Sequence, residues 1–536
     1  MSDHEPAQRH RALWSTLLVV AALVVAGLAA NGARSDGSGG ADDVTTGRGP
    51  TGDRSAGPAV VTGHDDGYLG TGESDDVSVR NAIVFLVDDM SDFACDQTPA
   101  YLPRSSRWLY EQGTCYTNAT VATPVCCPAR AQIQTGQLAH NNGVRSQIGA
   151  RNLDGDQTVQ HDLGEAGMST YGVGKFLNGL ASTDLYGPTR MTTGFEHADF
   201  WASYKMRAGQ FDLFGRNGGR YRPTTGLSST QTSARYLDRY LDRVLDGDEP
   251  FYAYSAFFAP HKQSTRKNDA SLPVPSPENA DKPVPPFSFW PERASDDKLP
   301  MFDYPPPAPR SYYEKLWAAR IRSLYDVDEV MASVFERLET RGMLDETAVI
   351  FTSDNGYSDR GQFNWDGKSA PYPAATNIPM LAWYPGRDRA LDTRPVSLID
   401  VAPTLYDLLD VEPGHLVDGH SLLGDHEREV VYGEFFHESN AIVGAESGRA
   451  ARSLPSWRLV TRGVEAYVEW YWPDGSVRQS EYYLDPGMTE NLLYRGPGYR
   501  DGPVADPERV AEMRDLMARY AVCAGTEEQG SPRPCT

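Results

Sequence analysis

Ala82–Val87, AIVFLV, is an uninterrupted apolar run of strand length. A strand apolar at every position must be covered on both faces, the condition of a strand inside a sheet flanked by helices. Thr347–Thr352, TAVIFT, repeats the pattern, and further strands are predicted at 170–174 and 251–258. These runs alternate with amphipathic helical segments, the order of an α/β fold. One helix is plain. Trp317, Ile321, Leu324, Met331, Val334 and Leu338 recur at helical spacing until Gly342 stops the pattern, and that stripe reads as core with no chemistry of its own.

Both apolar runs lead into oxygen donors: Asp88-Asp89 after the first, Ser353-Asp354-Asn355-Gly356 after the second. α/β sheets build their sites beyond the C-terminal ends of strands. Each pair alone reads as a solvated acidic turn. Two such strand ends can bring four oxygen ligands to one hard cation, Ca²⁺ or Mg²⁺.

A third stretch, Thr123–Gly136 (TPVCCPARAQIQTG), opens with Cys126, Cys127 and Pro128. Proline fits the first turn of a helix, the run to Thr135 is helix-compatible, and Gly136 supplies a stop. Cys126 is thus expected at a helix N-terminus, with Arg130 about one turn on, in a field that favours negative charge. Taken alone, the two cysteines read more simply as a buried or disulfide-bonded pair beside a loop.

The chain has 536 residues, enough for one large domain and a smaller one. Its net charge of −23 argues against nucleic acid as a partner, since phosphate binding needs a basic face. An anionic substrate must then be drawn in by local Lys and Arg. Arg9, His10 and Arg11 precede an uncharged run from Leu13 to Ala30, roughly 18 residues and near the lower limit for a membrane span. Residues 1–30 read as a signal peptide or a signal anchor, which puts the rest outside the cytoplasm, secreted or tethered to the outer membrane face. Residues 31–79 are rich in Gly, Ser, Thr and Asp and read as a disordered linker. Of six cysteines, Cys523 with Cys535 and Cys95 with Cys115 could each close a loop, leaving Cys126 and Cys127 unpaired; connectivity is not legible.

Taken together, these motifs resemble the formylglycine-dependent sulfatases of the alkaline-phosphatase-like superfamily. Cys126, Pro128, Ala129, Arg130, Thr135 and Gly136 match C-x-P-[S/A]-R-x-x-x-L-T-G, with Gln134 in place of Leu. Gly174-Lys175 resembles the family's G-K-[WY] segment. Leu177 stands where a His is frequent, and the form GKFLN is that of the N-acetylglucosamine-6-sulfatase-like branch. Ala259-Pro260-His261 is similar to F-x-A-P-H, and Gly361–Pro373 to G-Q-F-x-x-x-x-K-x-x-x-Y-E, with Pro373 in place of Glu. The segment EYYLDPGMTENLLY is similar to a C-terminal family pattern, so the likeness runs from about Asn81 to Cys523.

The resemblance implies a large mixed sheet flanked by helices, at 80–424, and a smaller C-terminal antiparallel sheet plus helix, at 425–536. Short strands over Glu429–Phe436, Trp457–Thr461, Ala466–Trp472 and Glu481–Leu484, and a helix over Pro507–Ala521, fit the second part. It implies a sulfuric ester hydrolase in which Cys126 is oxidised to formylglycine by a formylglycine-generating enzyme. Asp88, Asp89, Cys126, Asp354 and Asn355 would hold Ca²⁺ or Mg²⁺, and Arg130, Lys175, His261 and Lys368 would act on the substrate. The motif forms point to a 6-sulfated amino sugar or another sulfated glycan. The alternatives are an aryl sulfate or phosphate/phosphonate ester hydrolase of the same superfamily, and an exported glycan-binding protein with Cys126 unmodified. The Pro-rich Asn268–Arg310 segment, with Phe287, Phe289 and Trp290, is expected to be a lid or binding rim.

Overall fold

The computed structural model describes residues 79–147, 149–178, 193–201, 213–215, 220–221, 227–263, 271–287, 308–359, 366–426, 428–437, 454–494 and 505–535. The N-terminal run, the linker to residue 78 and most of the Pro-rich segment lie outside them.

The first apolar run forms β1 (Asn81–Val87). It is followed by β2 (Thr114–Thr120), β3 (Ser169–Lys175), β4 (His197–Trp201), β5 (Leu213–Gly215), β6 (Arg220–Tyr221), β7 (Phe251–Ala256) and β8 (Thr347–Ser353). A small antiparallel pair, β9 (Ser358–Asp359) and β10 (Asp366–Gly367), precedes β11 (Met380–Trp383) and β12 (Ala390–Ser397). Among the described residues, ten strands make one sheet in the order β12-β2-β11-β8-β1-β7-β3-β4-β5-β6. It is mixed: β8, β1, β7, β3 and β4 run parallel, whereas β11 is antiparallel to β8 and β2.

Alternation along β1 explains why the sheet must be covered twice. Ala82, Val84 and Leu86 join one core with the helices Cys126–Thr135, Val159–Glu165 and Val401–Leu408. Ile83, Phe85 and Val87 join the other with the helices Ser229–Val244 and Arg310–Arg341. In the 32-residue Arg310–Arg341 helix the stripe from Ile321 to Leu338 is buried and Trp317 is half-buried, as its spacing predicts.

The C-terminal part is a four-stranded antiparallel meander, β13 (Val431–Phe435), β14 (Ser456–Arg462), β15 (Glu465–Tyr471) and β16 (Val477–Tyr483), with the Pro507–Tyr520 helix. Met513, Leu516 and Met517 of that helix share a core with Val460, Tyr467 and Tyr482, and with Ala122, Leu138 and Ile399 of the larger part. Disulfides join Cys95 to Cys115 and Cys523 to Cys535; Cys126 and Cys127 are free and buried. The strand expected over 251–258 ends at Ala256, where the chain leaves the sheet toward a cis Ala259–Pro260 peptide.

Candidate active site

Parallel pairing brings the motifs to one edge. Val87 is level with Ser353, and Leu86 with both Thr352 and Ala256, while Gly174 is level with Ala256. The ends of β1, β8, β7 and β3 therefore open on one place. The ladder continues past the strands: the Asp354 N–H donates to the Val87 carbonyl (3.0 Å), the Phe257 N–H to Leu86 (2.7 Å) and the Asp88 N–H to Ala259 (3.1 Å). Asp88, Asp354 and the loop to His261 are thus held by backbone bonds. Asp89 takes the left-handed conformation, φ +65°, which short polar residues tolerate best.

The remaining groups arrive from outside these strands. The helix begins at Cys126 itself, with Val125 at its N-cap and Pro128 in its first turn; Gly136, φ +66°, ends it. The Cys126 thiol donates to Asp88 Oδ1 (3.7 Å) and accepts from Lys175 Nζ (3.3 Å) and Lys368 Nζ (2.7 Å). Lys175 also pairs with Asp88, and Lys368 with Asp89 Oδ1 at 2.6 Å. Arg130 donates from Nε to Asp354 Oδ2 (2.8 Å), and its second terminal nitrogen lies 3.3 Å from Asp88 Oδ2. Asn355 Nδ2 donates to Asp89 Oδ1 (2.6 Å), and His261 Nε2 lies 3.4 Å from Asp89 Oδ2. All nine residues named from the sequence meet here, and Asp88, Asp354, Asn355 and Arg130 are fully buried.

Three carboxylates face three cations in a dry site, and the charge states follow. Burial pushes the Cys126 thiol well above its usual value, against the pull of Lys175 and Lys368. Burial raises Cys127 to about 12. Burial works against ionisation of Asp89 too, but Lys368, His261 and Lys175 outweigh it and hold the carboxyl far below the usual range. Burial lowers His261 to about 3, with Lys175 and Lys368 adding to it and Asp89 opposing. Asp354 is raised by burial and by Asp88. For Arg130 and Lys175 the loss of solvent is outweighed by Asp354 and Asp88 respectively, and both stay charged.

Sequence reasoning missed two supporting residues and gave a third no role. Arg320, buried on the long helix, donates to the backbone carbonyl of Asp89 and, at 2.5 Å, to Asp359 Oδ2. Its signal was a charged residue three positions after Trp317, inside an apolar stripe. Gln147 Oε1 accepts from the Cys127 N–H (2.9 Å) and from Asn178 Nδ2 (3.1 Å), closing the loops behind the helix start. Ser353 Oγ accepts from the Met90 N–H (3.0 Å). Gln147 carries no sequence signal, whereas Ser353 stands in the Ser353–Gly356 stretch read from the sequence, where it was given no role of its own.

A model of one family, described as Sulfatase, matches residues 80–411, more than half of the chain. The chain belongs to the sulfatase family. An arylsulfatase of Volvox carteri is 28% identical over 367 residues, 61% of this chain and 55% of that protein. Human N-acetylglucosamine-6-sulfatase is 27% identical over 362 residues, 64% of this chain and 63% of that protein. The chain thus spans less than two thirds of the length of either relative. A protein whose structure was solved in complex with its substrate D-glucosamine-2-N,6-O-disulfate aligns with a TM-score of 0.60 at 19% identity, over 82% of this chain and 97% of that one. The shared fold is the alkaline-phosphatase-like one: a mixed sheet with helices on both faces, joined by a smaller antiparallel sheet.

The sulfatase-family site fits a hard cation. Ligand atoms of Asp88, Asp89, Cys126 and His261 lie within 4.8 Å of one another. Asn355 Oδ1 is buried, and no hydrogen-bond donor among the described residues reaches it. A carbonyl oxygen left so among carboxylates is the donor type that Ca²⁺ and Mg²⁺ take.

Proposed function

We propose that this protein hydrolyses a sulfate monoester, with Cys126 oxidised to formylglycine as its nucleophile. What carries the reading is the placement of Cys126: at a helix start, against Asp88, within hydrogen-bond reach of two lysines. Asp88, Asp89, Asp354 and Asn355, with the oxidised residue, would hold Ca²⁺ or Mg²⁺. When bound, such an ion lowers the pKa of a coordinated hydroxyl and offsets charge on sulfate oxygens. Asp88, Asp89 and Asp354 are matched by Arg130, Lys175 and Lys368, so a divalent ion leaves the site net positive, the sign a sulfate ester requires.

The aldehyde takes up water to give a geminal diol. One diol hydroxyl gives up its proton to the neutral His261 imidazole and attacks sulfur; the S–O bond to the alcohol breaks, and Lys368 delivers the proton to the leaving oxygen. Lys175 and Lys368 face the charge that grows on the sulfate oxygens, and Arg130 holds the residue through its grip on Asp88 and Asp354. The remaining hydroxyl then loses its proton, the C=O bond re-forms, and sulfate leaves without a second water. An unmodified Ser or Cys has no such exit, because its sulfated form must wait for hydrolysis.

A 6-sulfated amino sugar, or another sulfated glycan, is the substrate class best supported. The motif forms favour it over aryl sulfates; overall similarity to human N-acetylglucosamine-6-sulfatase is in keeping with it but is matched by the similarity to an arylsulfatase. On this reading residues 80–424 are the catalytic part and 425–536 a smaller subdomain. We further propose export, driven by residues 1–30. Two disulfides suit an oxidising compartment, and maturation needs a formylglycine-generating enzyme. Among the described residues no helix is long and apolar enough to cross a membrane. A panel of sulfated hexosamines, nitrophenyl sulfate, and the matching phosphate and phosphonate esters tests the reading. Turnover of a 6-sulfated sugar at the highest kcat/KM supports it. Turnover of the phosphorus esters alone assigns the protein to their hydrolysis instead.

A further inference from the structure

Of Arg130, Lys175 and Lys368, only Lys368 is delivered by neither a strand of the main sheet nor a helix; it follows the two-residue strand β10. Its surroundings reach into the C-terminal meander. The next residue, Ser369, is left-handed at φ +77°. Its N–H donates to the Pro124 carbonyl (3.1 Å), two residues before Cys126, and its own carbonyl accepts from the Trp457 indole N–H on β14 (2.8 Å). Three residues later the buried Tyr372 donates its hydroxyl to Glu481 on β16 (3.1 Å to Oε2). Glu481 is 0% exposed and also accepts from the Tyr483 hydroxyl (2.7 Å), Trp470 Nε1 (3.1 Å) and Gln479 Nε2 (3.1 Å). Val125, Ala370, Tyr372, Trp457, Trp470 and Tyr483 fill one core between these contacts.

We propose that Trp457 and Glu481 of the C-terminal sheet are positioning residues for Lys368. The proposal rests on the reading that Lys368 serves sulfate ester hydrolysis. Two hydrogen bonds from the meander grip the Lys368 segment, one at the carbonyl of the left-handed Ser369 and one at the hydroxyl of Tyr372. A buried carboxylate meets a large desolvation cost, and the one at 481 collects donors that fix Tyr372. Lys368 Nζ must touch both Cys126 and Asp89 Oδ1 to work, and neither contact survives a displacement of about 1 Å intact. The meander is thus part of the active-site scaffold.

The leaving group supplies the readout. A nitrophenolate departs without a proton, whereas an alkoxide of a sugar needs one. Trp457→Phe and Glu481→Gln are assayed with nitrophenyl sulfate and with a sugar sulfate that the parent turns over, in the parent and in a Lys368→Met background. Rates are taken per oxidised Cys126, counted by peptide mass spectrometry. For the sugar sulfate, kcat falls about tenfold or more with KM within about threefold, and nitrophenyl sulfate loses less than about threefold. In the Lys368→Met background neither substitution lowers the rate further. Equal losses on both substrates, or losses that multiply with that of Lys368→Met, overturn the proposal. If Trp457→Phe does not fold, Tyr372→Phe, which deletes one hydroxyl, completes the same cycle. A parent with oxidised Cys126 that releases no sulfate from any substrate fails the functional reading itself, an outcome distinct from a multiplicative cycle in an active parent.

Discussion

Asp89 illustrates how single residues are held to a task. Its left-handed backbone is disfavoured for a side chain with a Cβ, and four hydrogen bonds fix it: its N–H donates to Asp354 Oδ1 (3.1 Å), its carbonyl accepts from Arg320, and its carboxylate accepts from Lys368 and Asn355. Arg320→Met should therefore weaken binding of Ca²⁺ by about 10- to 100-fold, as loss of an outer partner of a ligand does. Calorimetric titration with Ca²⁺ measures this, and an unchanged affinity contradicts the role. Cys126→Ser should release no more than one equivalent of alcohol and then stop, since a seryl sulfate cannot expel sulfate unaided; sustained turnover in a rapid-quench assay contradicts the exit step. Asp88 and Asp354 were legible because they sit directly at strand ends, and Lys175 only through the family resemblance of its Gly-Lys segment. Arg320 and Gln147 were not, because their partners lie 231 and 20 positions away in sequence and only the fold joins them.

At the scale of elements, the Cys126–Thr135 helix carries the site and is stopped by Gly136. A Cβ there would meet Ala402 and Val417 at 3.2 Å in a left-handed backbone. Gly136→Ala should cost about 1–2 kcal/mol from the backbone alone, read as a shift in the urea midpoint; a neutral result means the turn relaxes freely. The strands at 81–87 and 347–353 announced themselves by unbroken apolar runs, since both faces are covered. β2 and β12 did not: Asn118 and Leu391 are exposed, and Asp392 and Arg394 pair with each other, so neither strand shows an unbroken apolar run. Sheet order was equally hidden, because strands 81–87 and 347–353 neighbour each other across nearly half the chain.

Across the whole molecule, the larger part and the C-terminal meander are clamped by buried polar groups as well as by a shared core. His140 lies 3.0 Å from Glu434 of β13, and its other ring nitrogen lies 3.0 Å from the carbonyl of Cys523, beside the second disulfide. Burial disfavours the imidazolium, but Glu434 outweighs it and His140 is raised above its usual 6.5. The clamp's contribution is therefore full below about pH 6.5 and is lost as pH rises through the folded-state value. His140→Gln should destabilise by about 1–2 kcal/mol at pH 6 and by less at pH 9, measured in urea; an equal loss at both contradicts the charged clamp. The account as a whole depends on the chemical identity of one side chain. Mass spectrometry of the peptide spanning Cys126, from a host that makes a formylglycine-generating enzyme, reads that identity directly. The account predicts an aldehyde at Cys126, reactive toward hydrazines, in the fraction that releases sulfate. An intact thiol at Cys126 in protein that turns over sulfate esters contradicts it.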